Sequence, residues 1–153
     1  MITVGARRAG AADEPALIAL DAEARASLVV QRGGALRLLR ELAPFDAQLL
    51  ARPDAIVVLG TIDDITVGFA HAVGEQLPDG GELVMLDGLY VDPGAREVGV
   101  GEEMMDLVLA WCAERGAVGI DAVALPGDRA TKNFFERFGL TARAIVVHRS
   151  LRP

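Results

Sequence analysis

Apolar and polar positions change period several times along the chain, and each change marks an element. Ile2, Val4 and Ala6 alternate with small or polar residues and predict a short strand. Asp13-Glu14-Pro15 then reads as a helix start, with a capping acid, a second acid in the first turn and proline near the first helical position. Leu17, Leu20, Ala24 and Leu28 fall on one face of that helix, which Gly33-Gly34 breaks. Leu36, Leu39 and Ala43 predict a second helix stopped by Pro44, and residues 46–50 a short helical piece before Pro53.

The period then becomes extended. Residues 55–59 form a β-branched apolar run, and Ile65, Val67 and Phe69 alternate toward His71. Residues 83–91 are a third strand. The turns Asp63-Asp64 and Asp79-Gly80-Gly81 join the three, and Asp92-Pro93-Gly94 ends the last, which predicts an antiparallel meander. Val100, Met104, Leu107, Val108, Trp111 and Cys112 recur on one stripe of a helix that Gly116 ends. Cys112 lies on this stripe and is read as core rather than as a nucleophile, since reactive thiols need an exposed, electropositive setting. Residues 120–125 predict a strand, 131–138 a short helix closed by Gly139, and 144–151 a last strand. The order is β-α-α-β-β-β-α-β-α-β, a mixed α/β chain forming one domain over residues 1–153.

Composition removes several classes. With 52% hydrophobic residues the chain is not largely disordered. Its longest uninterrupted apolar run, residues 107–113, is far short of the ~20 residues of a membrane span. The single cysteine excludes an internal disulfide, and the first residues lack a basic-then-apolar leader pattern, so a cytoplasmic protein is expected. A net charge of −7 argues against nucleic acid as a partner, and no membrane partner is expected. The acidic excess lies in residues 51–100, where Arg52 and Arg96 face nine acids: Asp54, Asp63, Asp64, Glu75, Asp79, Glu82, Asp87, Asp92 and Glu97. These are either solvated loop acids or a rim that attracts a cationic substrate.

Candidate chemistry concentrates in Arg96-Glu97-Val98-Gly99-Val100-Gly101, between the third meander strand and the striped helix. Two glycines one residue apart at a strand-to-helix turn expose backbone N–H groups where a helix begins, a site that accepts phosphate oxygens. A tight turn is the alternative reading. The stretch LYVDPGAREVGVG, followed by an amphipathic helix, a strand and ATKNFFERFGL, resembles the GNAT superfamily of N-acetyltransferases. The family's Gln/Arg-x-x-Gly-x-Gly/Ala signature is met by Arg96, Gly99 and Gly101, and the close likeness covers roughly residues 83–140.

The resemblance implies a mostly antiparallel sheet whose fourth and fifth strands run parallel and splay apart, with acetyl-CoA in the split. Its pantetheine arm would pair with the backbone of Leu89, Tyr90 and Val91, and its pyrophosphate would rest on amides from Val98 to Glu102, beside Arg96 and Glu97. The Leu89 N–H would polarise the thioester carbonyl. Reaction would be direct attack by an amine acceptor, with no covalent enzyme intermediate. Asp128 and Phe135 fall at positions the family uses, Lys132 near the start of the next helix is a candidate for compensating charge at the pyrophosphate, and a homodimer is expected, with residues 35–50 as a candidate interface.

Several positions depart from the pattern. Glu102 and Glu103 follow the glycines where small polar or basic residues are common, and Asp128 replaces a frequent Asn. Phe135 stands where a Tyr often protonates the leaving thiolate. Asp87 is therefore the candidate general base, with His71 on the neighbouring strand as the other, and His148 weaker still. Two readings stay open: an acetyl-CoA-dependent N-acetyltransferase acting on a small cationic or peptidyl amine, and a degenerate, non-catalytic CoA-binding or structural domain of the same shape.

Overall fold

Strand β1 (Val4–Arg8) opens a five-stranded sheet, and the computed structural model describes all residues 1–153. Helix α1 (Glu14–Val29) begins where Asp13 accepts the Gly10 N–H at 2.8 Å and both Arg7 amino groups at 2.8 Å. Arg7 first, then the Gly10 amide, holds the Asp13 carboxyl down to about 2, and this fastens the helix start to β1. Helix α2 (Gly34–Arg40) follows, then β2 (Ala55–Ile62), β3 (Ile65–Gln76) and β4 (Glu82–Val91). Helix α3 (Val100–Glu114), β5 (Gly119–Ala122) and α4 (Arg129–Arg137) complete the regular structure.

The strands lie in sequence order, antiparallel throughout except for the parallel β4–β5 pair. Asp63 and Asp64 both take positive φ, 50° and 65°, and so make the tight β2–β3 turn. Strand β2 is buried on both faces, which is why residues 55–59 read as a continuous apolar run. On one face Leu17 and Leu20 of α1 cover Val57, Leu59 and Phe69. On the other, Val100, Met104, Met105, Val108, Trp111 and Cys112 of α3 cover Ile56, Val58, Ala70, Ala72, Val84 and Leu86, with Phe135 of α4 in the same core. Burial pushes the Cys112 thiol up, as befits a core residue. No helix is long and apolar enough to cross a membrane.

Three expectations are corrected. The second helix ends at Arg40, short of Ala43, and its expected stripe faces outward: Leu39 is 85% exposed, while Arg37 is buried with its guanidinium 3.0 Å from the Glu41 carboxylate. The chain beyond Glu41 turns to wall a cavity instead of continuing the helix. Strand β5 stops at Ala122 rather than Leu125, because β4 offers it a ladder only from Leu83 to Leu86. Residues 144–151 form no strand: Ile145, Val146, Val147 and Leu151 are 84–92% exposed, and no backbone-to-backbone hydrogen bond involves residues 141–153. Strand composition becomes a strand only where a partner edge completes the ladder.

Candidate active site

Strand β4 is ten residues long, but β5 pairs only with its first half. Asp92 donates to the Val67 carbonyl at 2.8 Å, and antiparallel bonding alternates, so Tyr90 and Gly88 bond toward β3. Leu89 and Val91 therefore turn their N–H and C=O groups to the other side, where β5 has ended. The β4–β5 ladder thus stops at Leu86, between the two parallel strands where the resemblance implies a split. The Val91 carbonyl accepts from Arg96 Nε at 2.8 Å, and the Arg96 guanidinium lies 5.5 Å from the Tyr90 ring centre. Arg96 thus ties the glycine turn to the end of β4.

The turn opens at the far end of that edge. Glu97 and Gly99 take positive φ, 68° and 101°, and Gly99 is the N-cap of α3. The first α3 amide to find a carbonyl is that of Glu103, on Gly99 at 3.1 Å. The amides of Val98, Gly99, Val100, Gly101 and Glu102 have no protein acceptor, leaving a row of free donors at a helix start. The two glycines serve different ends. Gly99 supplies the left-handed φ. A Cβ on Gly101 would stand 3.2 Å from Phe134 of α4, so Gly101 lets the two helices meet. The Glu102 charge faces Arg137 of α4 at 3.1 Å, a partner the sequence reading missed.

The remaining cofactor candidates occupy varied positions. Asp128 is the N-cap of α4, accepting the Thr131 N–H at 3.1 Å and its hydroxyl at 2.7 Å, so its oxygens are engaged in the helix start. Lys132 is exposed and pairs with Glu136 at 3.1 Å. Phe135 is buried in the core against α3.

On the α1–α2 face of the sheet, a β-bulge alters the β3–β4 register: His71 pairs with Gly88 and Ala72 with Leu86, so Asp87 is the extra residue. A cavity of about 370 Å³ lies there, walled by Glu41, Phe45, Asp46, Arg52, His71 and Asp87 among others. Burial pushes the Asp87 carboxyl above its ordinary value, against the opposing pull of Arg37. His71 is buried, its ring stacked on Phe69 at 5.7 Å, with Nδ1 unpartnered. Burial lowers its pKa to about 4, although Asp21 pulls the other way, so the imidazole is neutral at pH 7. Bulge and burial thus bring both candidate bases to one cavity, while His148 lies exposed beyond the sheet.

The cavity is acidic for a reason the charge count did not capture. Asp54 pairs with Arg52, Glu82 with Arg115, and Asp63, Asp79 and Asp92 accept backbone N–H groups in turns. Of the nine acids in residues 51–100, only Asp87 lines the cavity. Its companions are Glu41, which pairs with the buried Arg37 at 3.0 Å, and Asp46, both from residues 1–50, where acids and bases balance; Arg52, the lining cation, is tied to Asp54 at 2.7 Å, so the acids remain in excess. The buried Arg37 and the cavity wall were invisible to periodicity, which read the same segment as an amphipathic helix.

The acetyltransferase (GNAT) family model matches residues 25–140, and the chain belongs to that family. No curated protein matches the sequence. Among solved structures, the chain is similar to an aminoglycoside acetyltransferase from an uncultured soil metagenomic sample, at 18% identity and TM-score 0.69, covering 98% of this chain and 96% of that one. It is also similar to the BH1408 protein of Bacillus halodurans, at 17% identity and TM-score 0.78 over 95% and 99% of the two chains. A third likeness is to the aminoglycoside acetyltransferase AAC(6')-Iy in complex with a CoA bisubstrate analogue, at 17% identity and TM-score 0.72 over 99% of each chain. At such identities these likenesses establish the fold.

Proposed function

We propose that the protein is an acetyl-CoA-dependent N-acetyltransferase whose acceptor is a cationic primary amine. The observation that carries this reading is the bulge at Asp87. One short piece of β4 presents the free Leu89 backbone on its open edge and the Asp87 carboxyl to an acidic cavity. The pantetheine arm of acetyl-CoA fits the unpaired Leu89 backbone and the Val91 N–H, the Val91 carbonyl being already occupied by Arg96, and the pyrophosphate fits the free amides from Val98 to Glu102. Arg137 pairs with Glu102 and so offsets one of the two acids that follow the glycines, where like charge would oppose a pyrophosphate.

The acceptor enters the cavity as an ammonium drawn by Asp46 and Asp87, the Glu41 charge being offset by Arg37. Asp87, its basicity raised by burial, takes a proton from it through water. The amine nitrogen then bonds to the thioester carbonyl carbon, and the charge on the carbonyl oxygen meets the Leu89 N–H. The carbon–sulfur bond breaks, and the CoA thiolate takes the proton released by the new ammonium. No tyrosine is required, since a thiolate (pKa ~8.5) is a fair leaving group. The second reading, a domain that binds CoA without catalysis, draws on the buried Phe135 in place of a general acid.

CoA thiol release from acetyl-CoA, followed with a panel of polyamines, aminoglycosides and peptide N-termini, tests the proposal. Amine-dependent release above the hydrolytic background supports it. Binding of acetyl-CoA without release by any amine favours the second reading.

A further inference from the structure

The two ring nitrogens of His71, in the cavity wall, lie in different surroundings. The ring is stacked on Phe69 at 5.7 Å and tilted against Phe45 at 6.5 Å, so two aromatic side chains fix it. Nδ1 is sealed from solvent, and no group of the protein meets it within hydrogen-bond distance. Nε2 is not sealed. It lies over Gly88, where a Cβ would come within 2.5 Å of it, and beside the bulged Asp87. Burial keeps the ring neutral at pH 7, so it carries one N–H and one lone pair. A buried N–H without an acceptor is rarer in folded proteins than an acceptor without a donor. The proton therefore belongs on Nε2, where a ligand or water can meet it, and the lone pair lies at the sealed Nδ1. This tautomer cannot take a proton from an amine in the cavity, which leaves Asp87 as the base there. It can donate a hydrogen bond.

Resting on the acetyl-transfer reading above, we propose that His71 is a specificity-determining residue whose Nε2–H donates to a hydroxyl on the carbon next to the acceptor amine. The preferred acceptor is then a vicinal amino alcohol rather than a plain alkylamine. The chemistry of the cavity selects this class. A neutral donor attracts an oxygen lone pair without repelling the ammonium beside it, as an imidazolium would. Asp87 and His71 Nε2 flank one position on the β3–β4 ladder, so the two groups they recognise must be close neighbours in the ligand. A hydroxyl accepts from Nε2–H and keeps a proton for the carboxylate of Asp46 or Asp87, whereas a carbonyl only accepts. A ligand carboxylate in that place would face the same two acids, which disfavours α-amino acids. Leu42, Phe45 and Leu49 give the cavity of about 370 Å³ an apolar wall for the carbon skeleton. An analogue without the hydroxyl displaces water yet leaves Nε2–H unpaired, and this is how a polar group in a pocket discriminates.

Acetyl transfer to trans-2-aminocyclohexanol and trans-2-methylcyclohexylamine, which differ in a hydroxyl for a methyl, tests this in wild type, His71→Leu and His71→Gln. The ratio of kcat/KM for the two amines is compared between proteins, so their difference in basicity cancels. That ratio should fall about tenfold or more in His71→Leu, as expected when a buried donor loses its partner. It should recover in part in His71→Gln, whose amide N–H can replace Nε2–H. Long-range ¹H–¹⁵N correlation on the wild type should place the His71 proton on Nε2, and saturating amino alcohol should shift that resonance more than the methyl analogue does. Three outcomes overturn the proposal and leave acetyl transfer standing: a ratio unmoved in His71→Leu, a proton on Nδ1, or alaninamide outperforming the amino alcohol. No turnover with any amine, while the Nε2 resonance still answers the amino alcohol, would overturn the acetyl-transfer reading and support recognition of the hydroxyl. No turnover and no shift would overturn both.

Discussion

Gly88 sits directly across the β3–β4 ladder from His71, and the imidazole fills the space a side chain would need: a Cβ on Gly88 would stand 2.5 Å from His71 Nε2. This contact fixes the ring beside the bulge that turns Asp87 into the cavity. Gly88→Ala is expected to displace His71 and to lower kcat by more than it changes the melting temperature. Steady-state kinetics and a melt on the same preparation check this; unchanged kcat would show that the imidazole position is irrelevant to the reaction.

Asp87→Asn should lower turnover by roughly 10²-fold, the lower end of what general acid–base catalysis contributes. The same substitution should raise stability at pH 7. Because the folded-state pKa of Asp87 is raised, the folded protein holds this proton above the pH at which the unfolded chain releases it. Stability therefore falls as pH climbs from the unfolded carboxylate value, ~3.9, through the folded one. Arg37→Met removes the opposing cation and should move the acid limb of the pH–rate profile to higher pH. A faster, less stable Asp87→Asn protein would contradict both assignments.

His71 acts in the opposite sense. Its folded pKa of about 4 lies below the ordinary imidazole value of ~6.5, so the unfolded chain binds a proton the folded one refuses. The resulting stability is full above pH 6.5 and is lost as pH falls toward 4. By the linkage relation the loss is on the order of 3 kcal/mol. Denaturant melts of wild type and His71→Phe across pH 4–7 measure it. The variant's curve should be flatter, and parallel curves would mean His71 titrates normally.

The sequence carried the sheet order, the stripe of α3 and the glycine turn, because each rests on local periodicity or on backbone chemistry that specific residues announce. The parallel split followed from the resemblance carried by Arg96, Gly99 and Gly101. Other features were not legible. The bulge at Asp87 is a register property of two strands and leaves no trace in the period of β4 alone. Leu36 and Leu39 pointed to a buried stripe, yet the inward position of α2 went to Arg37, which Glu41, one turn on, keeps paired. Residues 144–151 have every local property of a strand, and pairing, which no local pattern supplies, decided otherwise.

Phe135→Tyr should bring no more than a modest rate gain. The ring is buried against α3, and an unpaired hydroxyl there costs about 1–3 kcal/mol. Kinetics of the variant beside its melting temperature decide the point. A gain of several orders of magnitude would identify this chain as an enzyme disabled by loss of its acid.

Acceptor affinity should weaken with salt. Asp46 and Asp87 act on an incoming cation from a cavity open to solvent, and charges separated by more than ~10 Å are screened at 0.1 M ionic strength. KM for a polyamine should therefore rise with sodium chloride while kcat holds. A screen won by acidic amino acids would contradict the charge argument.

The most direct test of the account is titration of the uniformly ¹⁵N-labelled protein with acetyl-CoA, read at individual backbone amides. Saturable shifts are expected at Leu89 and Val91 on the open edge of β4, and at Val98, Gly99, Val100, Gly101 and Glu102 at the start of α3. Val98→Asp, an exposed substitution that adds an anion beside those amides, should weaken them strongly without unfolding the protein. A spectrum unmoved by millimolar acetyl-CoA, or shifts confined to residues outside β4 and the glycine turn, would contradict the account.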